Sequence, residues 1–177
     1  MHTNQLFHIS EDAGITTFKP RPSPSHFNDI KGDVVFAVSE RMLHNYLLPR
    51  NCPRVSFHAA PTSSAADKDR FLGASPTGFV LAIEAGWLQA VQQTILYCYE
   101  MPPDSFLLLD KCAGYYISYE TIKPLAVTTI SNPLQELAKR SIELRVLPQL
   151  HSLANEVSRS SLNFSLIRMI NATNIII

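Results

Sequence analysis

Short apolar runs and alternating stretches predict a chain built from many short strands and a few short helices. Residues 6–10 alternate in the manner of a half-buried strand, and residues 34–38 and 79–83 are almost continuously apolar, which is typical of buried strands. Residues 148–159 instead carry an apolar stripe at helical spacing. Strands and helices do not alternate regularly. The pattern therefore favours an α+β fold with mainly antiparallel sheets and short flanking helices.

The remaining elements follow from the same pattern and from the positions of proline and glycine. Pro124 places its own segment at a sheet edge or a bulge, and residues 164–170 suit either a strand or a helix. We find no internal repeat or linker and expect a single domain over residues 1–177. Further strands are predicted at residues 54–59, 94–100, 106–109, 115–119, 122–129 and 142–147, and helices at 40–48, 63–71, 85–93 and 132–140.

Composition and charge narrow the class of protein. Of the 177 residues, 46% are hydrophobic and 17% charged, as in a folded globule, and fifteen basic residues balance fifteen acidic ones. No global field would draw this chain to nucleic acid or to an anionic membrane. Three widely spaced cysteines indicate neither a disulfide framework nor a cysteine-rich metal site. With no leader-like segment at the start, we expect a cytoplasmic protein.

His8 is the first candidate for a functional side chain. Alternation along the first strand places His8 on the same face as Ser10, so that face could form a site. The alternative is a histidine at the edge of the core that donates to a backbone carbonyl. The scattered histidines lack the spacing of a metal site, and we predict none.

Three arginines in proline-bracketed loops are the second candidate. Arg21, Arg50 and Arg54 lie in stiff segments, and a guanidinium group held in place suits bidentate binding of phosphate or carboxylate. Solvated loop charges or surface ion pairs would explain them equally well. Tyr46 and Tyr115 could stack on a flat heterocycle, although aromatic residues at such spacing are more often part of the core.

Nearly the whole chain resembles a bacterial family of uncharacterised single-domain proteins. The resemblance is clearest in residues 6–11, 18–21, 49–54, 113–118 and 164–168. More distantly, the chain resembles the ADP-ribosyltransferase-like fold: a first strand bearing His8, the strand Val35-Phe36-Ala37 leading into a helix with Tyr46, and a later Tyr116-Ile117-Ser118 segment.

The second resemblance implies roles for particular residues. In that superfamily the first-strand histidine orients NAD, here His8, and an aromatic residue stacks on nicotinamide, here Tyr46 or Phe36. A late-strand glutamate stabilises the charged ribose, but Gly114 or Tyr115 occupies the corresponding place in this chain. If the chain is an enzyme, the resemblance implies an NAD-dependent ADP-ribosyltransferase-like activity without that carboxylate.

Two hypotheses follow from the sequence. The first is a protein that binds a nucleotide or another small phosphate-bearing ligand, with NAD as one candidate. It places His8, Tyr46 and Tyr115 at the reacting centre, and Ser10, Arg21, Arg50 and Arg54 around the ligand. The second is a non-catalytic protein-interaction or assembly module in which the arginine loops are structural.

Overall fold

The computed structural model describes residues 5–23, 27, 29–73, 75 and 77–174. Internal contacts divide the chain into two compact units, and each unit draws on two separate stretches of sequence. Unit 1 comprises Met1–Leu43 and Ile95–Ser131, and unit 2 comprises His44–Thr94 and Asn132–Ile177. The expectation of one domain stays a prediction.

The described residues include ten strands, four short α-helices and short segments of other helix types. The strands are β1 (Leu6–Ser10), β2 (Val35–Ser39), β3 (Arg54–His58), β4 (Phe79–Glu84), β5 (Leu96–Met101), β6 (Leu107–Asp110), β7 (Tyr115–Ser118), β8 (Ala126–Ile130), β9 (Glu143–Leu147) and β10 (Asn163–Ile167). The α-helices are α1 (Ala65–Asp67), α2 (Leu88–Gln93), α3 (Pro133–Lys139) and α4 (His151–Val157). The 3-10 turns are Glu40–Tyr46, Ala85–Trp87, Pro103–Ser105 and Met169–Asn171, and the segment Lys68–Leu72 is a π-helix.

Unit 1 is a six-stranded antiparallel sheet in the order β6-β7-β2-β1-β5-β8. The first strand lies in the interior, with Phe7 opposite Val38 and His8 opposite Tyr99. Because β1 pairs with β2 on one side and β5 on the other, it is an interior strand. The apolar core on one face of this sheet includes Leu6 and Phe18.

Unit 2 is a four-stranded sheet in the order β10-β3-β4-β9. Its strands are antiparallel except for the parallel pair β4 and β9. Val55 and Phe57 of β3 pack with Leu150, Ala154 and Val157 in a buried cluster, so the apolar stripe predicted at residues 148–159 is confirmed. The fold class is thus α+β with mainly antiparallel sheets and few short helices.

Three local features differ from the expected elements. The segment predicted as a helix over residues 40–48 forms a 3-10 helix over Glu40–Tyr46, since so short a segment before Pro49 supports tighter i to i+3 hydrogen bonds. Residues 164–170 resolve into the end of β10 and a 3-10 turn. Ile122 forms only an isolated bridge with Phe18, and β8 begins beyond Pro124 at an edge of the sheet.

Two carboxylates fasten the C-terminal part of unit 2. The buried Glu84 accepts hydrogen bonds from Leu150 N at 3.3 Å and from Thr173 Oγ1 at 2.8 Å. Asp67 accepts from Ser161 N at 2.8 Å and Ser161 Oγ at 2.6 Å. The hydrogen bonds from the Ser161 hydroxyl and amide hold the pKa of Asp67 below its ordinary value. Both carboxylates therefore join residues that are distant along the chain.

Candidate functional site

A row of buried polar side chains lies on the interior strand β3. Arg54, Ser56 and His58 are 2%, 1% and 4% exposed, respectively. Because side chains two positions apart on a strand point to the same face, these three lie opposite the apolar residues Val55 and Phe57. A buried polar residue is more informative than an exposed apolar one. We call this set the polar row, and it is the candidate functional site.

Arg54 forms one end of the polar row. Its guanidinium carbon lies 6.0 Å from the centre of the Tyr46 ring, and its Nη1 donates to the carbonyl oxygen of Pro49 at 3.4 Å. Prolines at both 49 and 53 stiffen the loop that precedes the strand. Two residues that the sequence indicated, Arg54 and Tyr46, are therefore brought together in unit 2.

His58 forms the other end of the row, among aromatic and amide groups. Its ring stacks on Phe79 at a centroid distance of 4.6 Å, and its Nε2 lies 3.3 Å from Asn163 Nδ2. The ring of His44 also contacts Phe79, edge-on, at a centroid distance of 5.2 Å. Strand register sets this arrangement, because His58 pairs with Phe79 on one side and with Asn163 on the other. Phe79 and Asn163 are only half-buried, so this end of the row lies nearer the surface.

In unit 2, the hydroxyl of Ser56 and both amide atoms of Asn45 lack hydrogen-bond partners among the residues that the structure describes, and Asn45 is fully buried. A buried hydroxyl or amide without a partner costs about 1–3 kcal/mol in proteins. Native structures seldom keep such groups without a reason, and a ligand-binding role is one such reason.

Cys52 lies in the same loop but is not suited to be a nucleophile. The thiol is fully buried, and its Sγ donates to the carbonyl oxygen of Pro53 at 3.5 Å. Burial raises the pKa of Cys52 to about 11; the charge of Arg54 acts in the opposite direction and that of Glu84 adds to the rise. Because the thiolate is the reactive form, this cysteine is a packing residue at neutral pH.

His8 lies in unit 1 with its ring anchored on both sides. The Nδ1 atom is 2.9 Å from the carbonyl oxygen of Phe36, and the ring centre is 4.8 Å from that of Phe18. Nδ1 can hydrogen-bond to this carbonyl only as a donor, so the contact favours the tautomer with the proton on Nδ1. The geometry fits the alternative of a core-edge histidine that donates to a backbone carbonyl.

Three other predicted residues also lie in unit 1. The Ser10 hydroxyl accepts from Asp12 N at 3.1 Å. Arg21 is exposed and forms an isolated backbone bridge with Val34. Tyr115 belongs to an aromatic cluster, with its ring centre 6.4 Å from that of Phe36. The ligand-binding roles of Ser10 and Arg21 and the catalytic role of Tyr115 stay predictions.

Arg50 is exposed and lies in the Pro49–Pro53 loop of unit 2, four residues before Arg54. Unit 2 thus contains Tyr46, Arg50 and Arg54, whereas His8, Ser10, Arg21 and Tyr115 belong to unit 1.

Sequence reasoning missed Ser56, His58 and Asn163. A signal was present, since residues 54–58 read Arg-Val-Ser-Phe-His and place polar residues at every second position. Such alternation normally marks a strand with one solvated face. Only the burial of this strand between β10 and β4 turns those polar residues into a candidate site.

Two further observations concern site classes. Within the described ranges, no group of three or more His, Cys, Asp or Glu side chains has an arrangement that could hold a metal ion. None of the helices in the described part of the chain has the length and apolar character needed to cross a bilayer.

The fold and the polar row define a small α+β protein with a buried polar strand face. The chain belongs to a family of unknown function, DUF6886, whose model matches residues 7–172. Neither the curated proteins nor the solved structures include a match to this chain.

Proposed function

We propose that this protein binds a small phosphate-bearing ligand, of the nucleotide class, at the polar row of unit 2. The observation that supports the proposal is the burial of Arg54, Ser56 and His58 on an interior strand. The planar fork of a guanidinium group suits a phosphate, and the unpartnered hydroxyl of Ser56 on the same strand face supplies a further donor.

Two residues of the row, Arg54 and Ser56, and three other residues of unit 2 have chemical roles in this proposal. Arg54 contacts a phosphate through its planar fork, and the exposed Arg50 adds positive charge from the same loop. Ser56 and Asn45 hydrogen-bond to the ligand through their unpartnered atoms. Tyr46 offers an aromatic face for a heterocycle. The predicted role of His8 as a ligand contact belongs to unit 1 and stays a separate proposal.

We further propose an ADP-ribosyltransferase-like fold with NAD as one candidate ligand, in a bacterial protein of the cytoplasm. Two mainly antiparallel sheets and the anchored imidazole of His8 support the fold proposal.

The absence of the late-strand glutamate, whose place Gly114 or Tyr115 occupies, argues against transfer chemistry. Gly114 has a φ of +67°, and an added Cβ there would meet Ser39 Oγ and lie 2.8 Å from Met42 Cγ. A carboxylate-bearing side chain therefore does not fit at that position.

Calorimetry with ADP, NAD and pyrophosphate, at low and moderate salt, tests the proposal. Arg54→Lys keeps the charge and loses the fork, so we expect affinity to fall about 10- to 100-fold, as for the loss of a charge-assisted hydrogen bond. Arg50→Lys should have a smaller effect because Arg50 is exposed. Arg70→Lys is the matched control, since Arg70 is exposed and pairs with Glu156 at 2.8 Å. The same titrations with Arg21→Ala test whether Arg21, which belongs to unit 1, contributes to ligand affinity.

The proposal fails if no ligand binds the wild type, or if Arg54→Lys and Arg70→Lys bind as tightly as the wild type. A protein-interaction or assembly module then takes its place.

That second function is favoured by β10, a sheet-edge strand on which Phe164 and Leu166 are 42% and 41% exposed. An edge without charge or proline invites pairing with another strand. Sedimentation at increasing concentration, with Phe164→Glu as the test variant, would detect self-assembly.

A further inference from the structure

Arg168 has a strained backbone. Its φ of 55° and ψ of 28° lie in the left-handed region, and among described residues only Ser141 shares a positive φ without being glycine. Residues with a Cβ rarely adopt this conformation outside Asn and Asp. Strain of this kind, when no local motif demands it, points to a functional requirement.

Ser141 provides a useful contrast because its conformation has a local explanation. It follows α3, and its N–H donates to the carbonyl oxygen of Ala138 at 2.9 Å, as is common where a helix ends. Arg168 instead follows strand β10 and begins a 3-10 turn, in which Asn171 N donates to Arg168 O at 2.9 Å. Glycine would satisfy this turn with less strain, so the turn alone does not explain an arginine.

The turn at residues 168–171 lies next to the Pro49–Pro53 loop, which precedes Arg54. Ile167, the residue before Arg168, pairs directly with Arg54 across β10 and β3. The side-chain amide of Asn171 donates to the carbonyl oxygen of Asn51 at 2.8 Å. These two contacts hold Arg168 beside the segment that carries Arg50 and Arg54.

The guanidinium of Arg168 also differs from those of other half-buried arginines. Arg140 Nε lies 3.1 Å from a carboxylate oxygen of Glu136, and Arg145 Nε lies 2.7 Å from one of Glu143. Arg168 is half-buried too, yet in the described part of the chain no side-chain hydrogen bond or ion pair holds its guanidinium. Its charge is thus available for an external anion.

We infer that Arg168 is a further anion-binding residue, which contacts the phosphate of the ligand together with Arg54. This inference rests on the proposed function and deepens it, because two guanidinium groups that contact one ligand favour a diphosphate over a monophosphate. The backbone strain at Arg168 is then the cost of presenting the fork beside Arg54.

Arg168→Gly tests the inference because it relieves strain and removes the guanidinium together. We expect the melting temperature to rise by about 1–4 °C, since relief of left-handed strain exceeds the entropy cost of glycine. We expect pyrophosphate affinity, measured by calorimetry, to fall about 10-fold or more. Arg168→Lys should weaken binding as well, because lysine lacks the fork. Ser141→Gly is the matched control, which should raise the melting temperature and leave affinity unchanged.

The outcomes separate this inference from the proposed function. If Arg168→Gly melts higher and binds pyrophosphate as tightly as the wild type, the inference is wrong, while a loss of binding in Arg54→Lys still supports the proposed function. If Arg168→Gly melts lower than the wild type, the side chain is structural and the inference is again wrong. A wild type that binds neither pyrophosphate nor ADP overturns both.

Discussion

Replacing Ser56 with alanine is expected to stabilise the protein. The Ser56 side chain is 1% exposed, and its hydroxyl has no hydrogen-bond partner among the described residues. Removing a buried hydroxyl that has no partner recovers a desolvation free energy of about 1–3 kcal/mol. Alanine has a weak preference for strands, and this lowers the net gain. We therefore expect the free energy of unfolding to rise by about 1 kcal/mol. For a chain of 177 residues this raises the melting temperature by about 2–4 °C.

Ser118 offers a matched control on another strand. It is also 1% exposed, but its Oγ accepts a hydrogen bond from Glu120 N at 3.1 Å. Ser118→Ala should lower the free energy of unfolding by about 1 kcal/mol, because a satisfied hydrogen bond is lost. Urea denaturation of both variants measures the difference. If Ser56→Ala is destabilised as much as Ser118→Ala, its hydroxyl is satisfied in the folded protein and our reasoning about the polar row is refuted.

Two further predictions concern cysteine reactivity and acid stability. At pH 8 a thiol reagent should modify the exposed Cys112 quickly, and Cys52 only after denaturation, because burial keeps that thiol protonated; rapid labelling of Cys52 in the folded protein would contradict this. The pKa of Asp67 is lower in the folded protein than in the unfolded chain, so its contribution to stability is present above the ordinary aspartate pKa of about 3.9 and is lost as the pH falls through the folded value. Denaturation curves at about pH 5.5 and 3.5 should show a larger loss for the wild type than for Asp67→Asn; equal losses would mean that the hydrogen bonds from Ser161 do not stabilise the folded state.

Much of the fold could be predicted because its signals are local. Alternation over residues 6–10 predicted β1, and the Asn132-Pro133 pair predicted the start of α3, where the side chain of Asn132 accepts from Gln135 N at 3.0 Å. Strand pairing is not local. His58 and Asn163 are 105 residues apart in sequence, and nothing near either residue indicates that they are neighbours.

The candidate site was harder to predict for the same reason. Arg21 and Arg54 lie in similar proline-rich surroundings, yet the contacts place them in different units. Arg21 remains exposed in a backbone bridge, whereas Arg54 is buried on an interior strand. Local stiffness was visible in the sequence, but burial depends on which strands flank β3.

The division of each unit between two stretches of sequence sets an order for folding during synthesis. Every strand of the unit 1 sheet has been made once residue Ile130 leaves the ribosome, whereas the unit 2 sheet still lacks β9 and β10. At synthesis rates of about 5–20 residues per second, Ile167 follows Ile130 by roughly 2–7 s. During that interval β3 and β4 lack their outer partners β10 and β9, and the apolar residues Val55 and Phe57 lack the helix α4 that packs on them. A released fragment that ends near residue 140 should therefore protect unit 1 from protease and leave residues 54–84 open to cleavage.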